Sequence, residues 1–159
     1  MKKDKKLIIL SSIVLIIYLI FNLLMHKIAT LNSNILIFDM ELFYSPNTFY
    51  SNLQLYTNTI KYYLLIFRVF DMFFPLAYSL LLVQLIKKYH YRLIVFPLTT
   101  LFLDLLENSL LAYKMFINQT YNEKIVYFIN AVTTLKFLTL LISIVIIFYA
   151  VIKAKKDKG

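Results

Sequence analysis

The chain has 159 residues, 61% of them hydrophobic and 17% aromatic, with a formal net charge of +9. Soluble domains average about 45–50% apolar on a similar count, so this composition predicts a protein whose solvent is lipid, built as one membrane domain over residues 1–159. The absence of cysteine excludes disulfides, thiolate metal sites and cysteine nucleophiles, and the only glycine, Gly159, excludes glycine-rich phosphate cradles and GxxxG helix contacts.

The first apolar segment, about 7–25, follows Lys2, Lys3, Lys5 and Lys6. A basic start before an apolar run is also the form of a signal peptide. This run is longer than a typical h-region and no small-x-small cleavage site follows, so it reads as an uncleaved span. Tyr18, Asn22 and His26 repeat every four residues toward its outer end. An external segment, 26–63, comes next. Within it, Tyr44-Ser45-Pro46 is a helix start, with Ser45 as N-cap and Pro46 at the first helical position. Phe49, Leu53, Tyr56 and Ile60 then recur at helical spacing. They predict an amphipathic helix over about 46–60, lying on the outer membrane surface or capping the bundle. Ahead of it, Phe38-Asp39-Met40-Glu41 sets two acids among apolar residues, as a solvated loop or a lid.

Three further spans are expected at about 64–86, 93–114 and 125–152. Each is long enough to cross a core of about 30 Å at 1.5 Å per residue. The 87–92 turn is short, which predicts antiparallel neighbours on either side of it. The 115–124 loop carries Asn118-Gln119-Thr120, a glycosylation acceptor in a eukaryotic secretory context only.

Basic residues divide unevenly between the two sides. Eleven fall on one: the four N-terminal lysines, then Lys87, Lys88 and Arg92, then Lys153, Lys155, Lys156 and Lys158. The other side has Lys27, Lys61, Lys114 and Lys124. The positive-inside rule therefore puts both termini and the 87–92 turn in the cytoplasm. The basic excess serves topology and anionic headgroups rather than nucleic acid.

Four ionisable residues, Asp71, Asp104, Glu107 and Lys136, lie inside stretches that otherwise read as hydrocarbon. Each costs about 2.5–3.5 kcal/mol near the bilayer centre on insertion scales. Arg68, Asp71, Pro75 and Tyr78 share one helix face, as do Asp104, Glu107, Asn108 and Leu111 on the next span. Pro75 frees a backbone carbonyl near Asp71. Asn130, Thr133, Lys136, Thr139 and Ser143 form a polar seam on the last span. From the rise per residue, Asp71 and Glu107 lie about 10 Å below the outer boundary, and Asp104 and Lys136 about 15 Å down. The inner half is much more apolar, so the pattern predicts a pocket opening outward or laterally rather than a pore. Pairing of Lys136 with Asp104 or Glu107, and of Arg68 with Asp71, would make the set a structural network. Three acids then face two bases, which leaves one carboxyl, Glu107 foremost, expected to hold a proton near neutral pH. A hard-cation site of Asp71, Asp104, Glu107 and His26 is disfavoured by Lys136 at the same depth.

Several of these residues form a wider pattern: Tyr44-Ser45-Pro46, Asp71 with Phe74-Pro75 and Tyr78, Asp104-Leu105-Leu106-Glu107-Asn108, and Thr133 ahead of Lys136. In this the chain resembles a family of small uncharacterised four-span bacterial membrane proteins. Ile60-Lys61-Tyr62-Tyr63 stands where that family has Gly-Arg, so a basic role there does not carry over. The resemblance implies a bacterial plasma-membrane protein and no particular activity. The EXPERA proteins offer only an architectural analogy, with buried acids in an outward or lateral pocket and no motif in common.

The sequence thus predicts an all-α, antiparallel four-helix membrane bundle with an external amphipathic helix. Its leading functional reading is binding of a lipid-like or cationic small ligand, without a cofactor or metal. The site would comprise Arg68, Asp71, Tyr78, Asp104, Glu107, Asn108 and Lys136. Three alternatives stand beside it: an intramembrane enzyme using Glu107, Asp104 or Asp71 as acid or base, an accessory subunit for another membrane protein, and a homo-oligomeric proton-coupled transporter.

Overall fold

A computed structural model describes residues 2–38, 41–87 and 91–156. These are helical and, among the described residues, contain no strand. The elements are α1 (Lys2–Leu31), α2 (Pro46–Gln54), α3 (Asn58–Lys87), α4 (Val95–Ala112) and α5 (Glu123–Lys156). A 3-10 turn, Tyr91–Ile94, leads into α4, and a π turn, Tyr113–Ile117, continues it.

Four stretches are long and apolar enough to cross a membrane: Lys5–Leu31, Asn58–Lys87, Tyr91–Ile117 and Glu123–Ala150. They have 27, 30, 27 and 28 residues, against the roughly 20 that a hydrocarbon core demands. The first three extend past their sequence-predicted limits at both ends, because the helices run on beyond the apolar windows into their polar flanks; the fourth starts two residues early and ends at Ala150, two short of the expected 152. The predicted helix over 46–60 is two elements. Ser45 caps α2 through the Thr48 backbone N–H, at 3.0 Å. The chain leaves the helix at Leu55–Thr57, and Thr57 Oγ1 then accepts from the Ile60 N–H at 3.3 Å, opening α3. A second N-cap within the apolar pattern breaks what periodicity alone joins.

The helices pair in a definite sense. On α3 and α4, Arg68 meets Asn108 and Met115, while Tyr78 meets Asp104. On α4 and α5, Glu107 meets Thr133, Asp104 meets Lys136 and Thr100 meets Thr139. Positions rise on one helix as they fall on the next, so each pair is antiparallel. α1 packs on α3, with the Phe21 ring 4.9 Å from Phe67 and 5.2 Å from Phe74.

Apolar burial is concentrated at the end where α2 sits. Phe38, Tyr44 and Phe49 bring their rings within 4.6 to 5.7 Å of one another. They pack with Leu53, Tyr56, Ile60, Leu64, Leu111, Met115, Val126 and Ile129. The Asn130 amide clamps the incoming chain, donating to the Tyr44 carbonyl at 2.8 Å and accepting from its N–H at 3.4 Å. Of the lid segment, Phe38 is fully buried and Glu41 exposed, while Asp39 and Met40 lie outside the described residues. α2 packs on α5, with Pro46, Phe49, Asn52 and Leu53 buried.

Along the rest of the molecule the usual distribution is reversed. Leu15, Leu19, Leu65, Phe73, Phe102, Leu138 and Phe148 face outward, while Arg68, Asp71, Asp104, Glu107 and Lys136 are buried. Apolar side chains on this scale are exposed cheaply only to an apolar solvent.

Candidate functional site

The site begins with a backbone defect. Pro75 has no N–H, so the Asp71 carbonyl one turn earlier lacks its helical donor. Asn108 Nδ2 of α4 supplies one at 3.0 Å. The same Asn108 amide accepts from Arg68 Nη1 at 3.3 Å and donates to Asp104 Oδ1 at 3.4 Å. This fully buried amide therefore ties the proline break in α3 to both acidic helices.

Around it the charges interlock. Arg68 Nη1 lies 3.2 Å from Asp71 Oδ2, one turn along α3. Arg68 also donates from Nη2 to Met115 Sδ at 3.6 Å. Lys136 Nζ lies 2.5 Å from Glu107 Oε2 and 3.5 Å from Asp104 Oδ1. Thr133 donates to Glu107 Oε1 at 2.5 Å, and Tyr78 donates to Asp104 Oδ2 at 2.5 Å. All seven predicted site residues are thus brought into one cluster shared by α3, α4 and α5.

Above this cluster lies a cavity of about 280 Å³. Phe21 of α1, Phe67 and Phe74 of α3 and Phe137 of α5 form its walls, and Asp71, Tyr78, Asp104 and Lys136 its polar floor. Tyr18, Asn22 and Met25 of α1 and Leu140 of α5 complete the lining, although those two helices hardly pack on each other. Arg68, Glu107 and Asn108 do not reach the cavity; they brace its floor from behind. The wall is apolar and aromatic while the floor combines two carboxylates, a phenol and an ammonium. Such a site has the apolar walls and polar end that suit an amphiphile.

The α1 residues expected at the site contribute less. Asn22 Nδ2 donates to its own helix at the Tyr18 carbonyl, 2.8 Å away, and His26 is exposed. Among the described residues, no three His, Cys, Asp or Glu side chains form a group that could hold a metal ion.

The sequence reading did not find Lys114. By sequence it stands with Lys27, Lys61 and Lys124 on the external side, yet it is fully buried. The π turn Tyr113–Ile117 carries Lys114 and Met115 inward together. Lys114 Nζ donates to the Thr120 carbonyl at 2.7 Å and lies 5.4 Å from the centre of the Tyr50 ring. Tyr50 completes the clasp, donating from its OH to Thr120 O at 2.9 Å and accepting from Asn122 N at 2.8 Å. Nearby, Tyr121 OH donates to Glu123 Oε1 at 2.9 Å, and that carboxylate, holding the phenol's proton, moves Tyr121 above the ordinary 10.0.

Fold and site together define a helical protein with four stretches long and apolar enough to cross a membrane and a charged cluster beside a cavity lined by aromatic and ionisable side chains. No family model, curated protein or solved structure matches the chain.

Proposed function

We propose that the protein is an integral membrane bundle, both termini cytoplasmic, that binds a lipid-like or cationic small amphiphile entering sideways from the bilayer. The cavity's lining supports this reading: four phenylalanine rings beside Asp71, Asp104, Tyr78 and Lys136, between helices α1 and α5 that hardly pack on each other. Apolar outer surfaces and the basic residues flanking the spans support the membrane setting. A bundle with this site also suits the family of small four-span bacterial membrane proteins that the motifs around Asp71, Asp104 and Lys136 resemble.

The test is binding of dodecyltrimethylammonium, below its micellar concentration, to protein in nanodiscs. Native mass spectrometry of the purified protein would show any amphiphile already retained. Leu140→Trp enlarges an uncharged lining residue and so narrows the cavity. Saturable binding that this variant abolishes supports the proposal; binding unaffected by it refutes the cavity as the site.

One observation favours a second reading. Arg68–Asp71 and Lys136–Glu107 are close ion pairs that could serve register alone, as in an accessory subunit of a larger complex. That reading expects a co-purifying partner and charge variants that lose abundance and partner together, with no ligand in the cavity.

A further inference from the structure

The cavity has a second polar element, on α1. Tyr18 and Asn22 lie one helical turn apart, and both line it. Asn22 Nδ2 donates to the Tyr18 carbonyl at 2.8 Å, which holds the amide against its own helix. Among the described residues, neither Asn22 Oδ1 nor the Tyr18 hydroxyl has a hydrogen-bond partner in the protein. Both residues are exposed, and both lie well inside the apolar stretch Lys5–Leu31. In the proposed bilayer setting, an amide oxygen and a phenol left there would meet hydrocarbon, which is costly without a hydrogen bond. The packing of α1 on α3 runs instead through the Phe21 ring, set against Phe67 and Phe74.

The charged side of the cavity offers an occupant less. Asp104 accepts from Asn108, Lys136 and Tyr78, and Asp71 accepts from Arg68. Lys136 Nζ also lies 4.9 Å from the centre of the Phe137 ring, and the Arg68 guanidinium 5.7 Å from that of Phe67. The protein's own cations therefore already stand at two of the four phenylalanine rings and beside both lining carboxylates, the places where a cationic ligand would go. These groups are engaged with one another, whereas the polar atoms of α1 have capacity to spare. The volume, about 280 Å³, lies at the small end for ligand pockets and suits a single chain or a compact ring rather than a diacyl lipid.

We infer that the cavity selects a neutral amphiphile with one hydroxyl group, a lipid alcohol with a single-chain or compact-ring body. Its hydroxyl donates to Asn22 Oδ1 and accepts from the Tyr18 hydroxyl, while its hydrocarbon lies against the phenylalanine rings. The inference rests on the ligand-binding reading above and narrows it from a lipid-like or cationic ligand to a neutral alcohol.

The probes are 1-decanol and decyl methyl ether, two neutral molecules with one chain length, of which only the alcohol can donate. Full-length protein in an uncharged detergent is dialysed against each, and native mass spectrometry counts the molecules bound per chain. The wild type should bind the alcohol saturably and about threefold to tenfold more tightly than the ether, the worth of one neutral hydrogen bond. Asn22→Leu keeps an exposed apolar side chain at that position and should erase the preference by lowering the alcohol's affinity to that of the ether. Tyr18→Phe should weaken both probes alike, since the phenol can donate to either oxygen. The wild-type comparison stands even if a variant does not fold. Equal binding of the two probes, a preference that survives Asn22→Leu, or full binding by Tyr18→Phe overturns the assignment. If Leu140→Trp still abolishes binding in such a case, the cavity reading survives without it. Saturable binding of dodecyltrimethylammonium but of neither neutral probe overturns the assignment as well and makes the ligand a cation. If all three fail to bind, the cavity reading falls and the alcohol with it.

Discussion

Replacing Lys136 by Met should destabilise the protein by about 4 kcal/mol at neutral pH, and the figure follows from what Glu107 can do next. Lys136 Nζ sits 2.5 Å from Glu107 Oε2, and Glu107 is fully buried. At an effective dielectric of about 20 that separation corresponds to roughly 6–7 kcal/mol of attraction. Desolvation of both ions cancels much of it, and losing one partner of a buried pair typically costs about 3–5 kcal/mol. Proton uptake sets a ceiling. A carboxyl with an ordinary value of about 4.3 can be neutralised at pH 7 for about 4 kcal/mol, so the Lys136→Met variant escapes by that route. At pH 5 the same step costs only about 1 kcal/mol, so the deficit should shrink as the pH falls. Glu107→Gln should cost less at pH 7, because Lys136 keeps Asp104 at 3.5 Å. The double variant should recover at least about 2 kcal/mol relative to the sum of the singles. Thermal unfolding in detergent reads all three, with about 4 kcal/mol corresponding to a fall of roughly 8–16 °C for a chain of this size. A Lys136→Met variant as stable as wild type at pH 7, or a double variant that falls by the sum, would refute the coupling.

Three other outcomes are expected. Asn108→Leu removes the donor to the Asp71 carbonyl and one contact each from Arg68 and Asp104, which keep Asp71 and Tyr78 respectively; the loss at the buried carbonyl should cost roughly 1–3 kcal/mol. Adding Pro75→Ala should restore part of this loss of thermal stability, because the alanine N–H can reach the Asp71 carbonyl. Tyr50→Phe should cost about 1–2 kcal/mol and accelerate amide exchange across 118–123, since it removes both hydrogen bonds to Thr120 and Asn122. In alkaline titration, the difference between wild type and Tyr121→Phe should show a phenol ionising above 10.0, because its hydrogen bond to Glu123 retains the proton. The sign follows: this contact is intact below pH 10 and is lost as the pH rises through the folded-state value, whereas ionisation at or below 10.0 would contradict it.

Much of this arrangement was legible in the sequence, for physical reasons. An ionisable residue in an apolar run has few places to go, so the shared faces of Arg68, Asp71 and Tyr78, and of Asp104, Glu107 and Asn108, indicated which sides of α3 and α4 meet. Pro75 announced an unsatisfied carbonyl, although only the structure shows Asn108 answering it. Other features were hidden. Lys114 reads as one more surface lysine, because a π turn leaves no mark in hydrophobic spacing and rotates the side chain by a fraction of a turn. Thr57 looked like one residue in a continuing helix, since its role as a cap depends on where the backbone bends. Asn22 and His26 matched the spacing of a polar stripe, yet spacing fixes neighbours within a helix and leaves open which way that helix is turned.

The positions of the counter-charges also bear on how such a chain would enter a bilayer. α3 carries Arg68 and Asp71 one turn apart, so if the proposed membrane setting holds it would bring a neutralising partner with it. α4 holds Asp104 and Glu107, whose ammonium partner lies on α5 and is synthesised some thirty residues later. Left alone in lipid, α4 would need to be protonated or withdrawn; delivered as a hairpin with α5, it arrives nearly neutral. Biogenesis would then have an order written into it, in which the third crossing waits at the insertion machinery until the fourth has emerged.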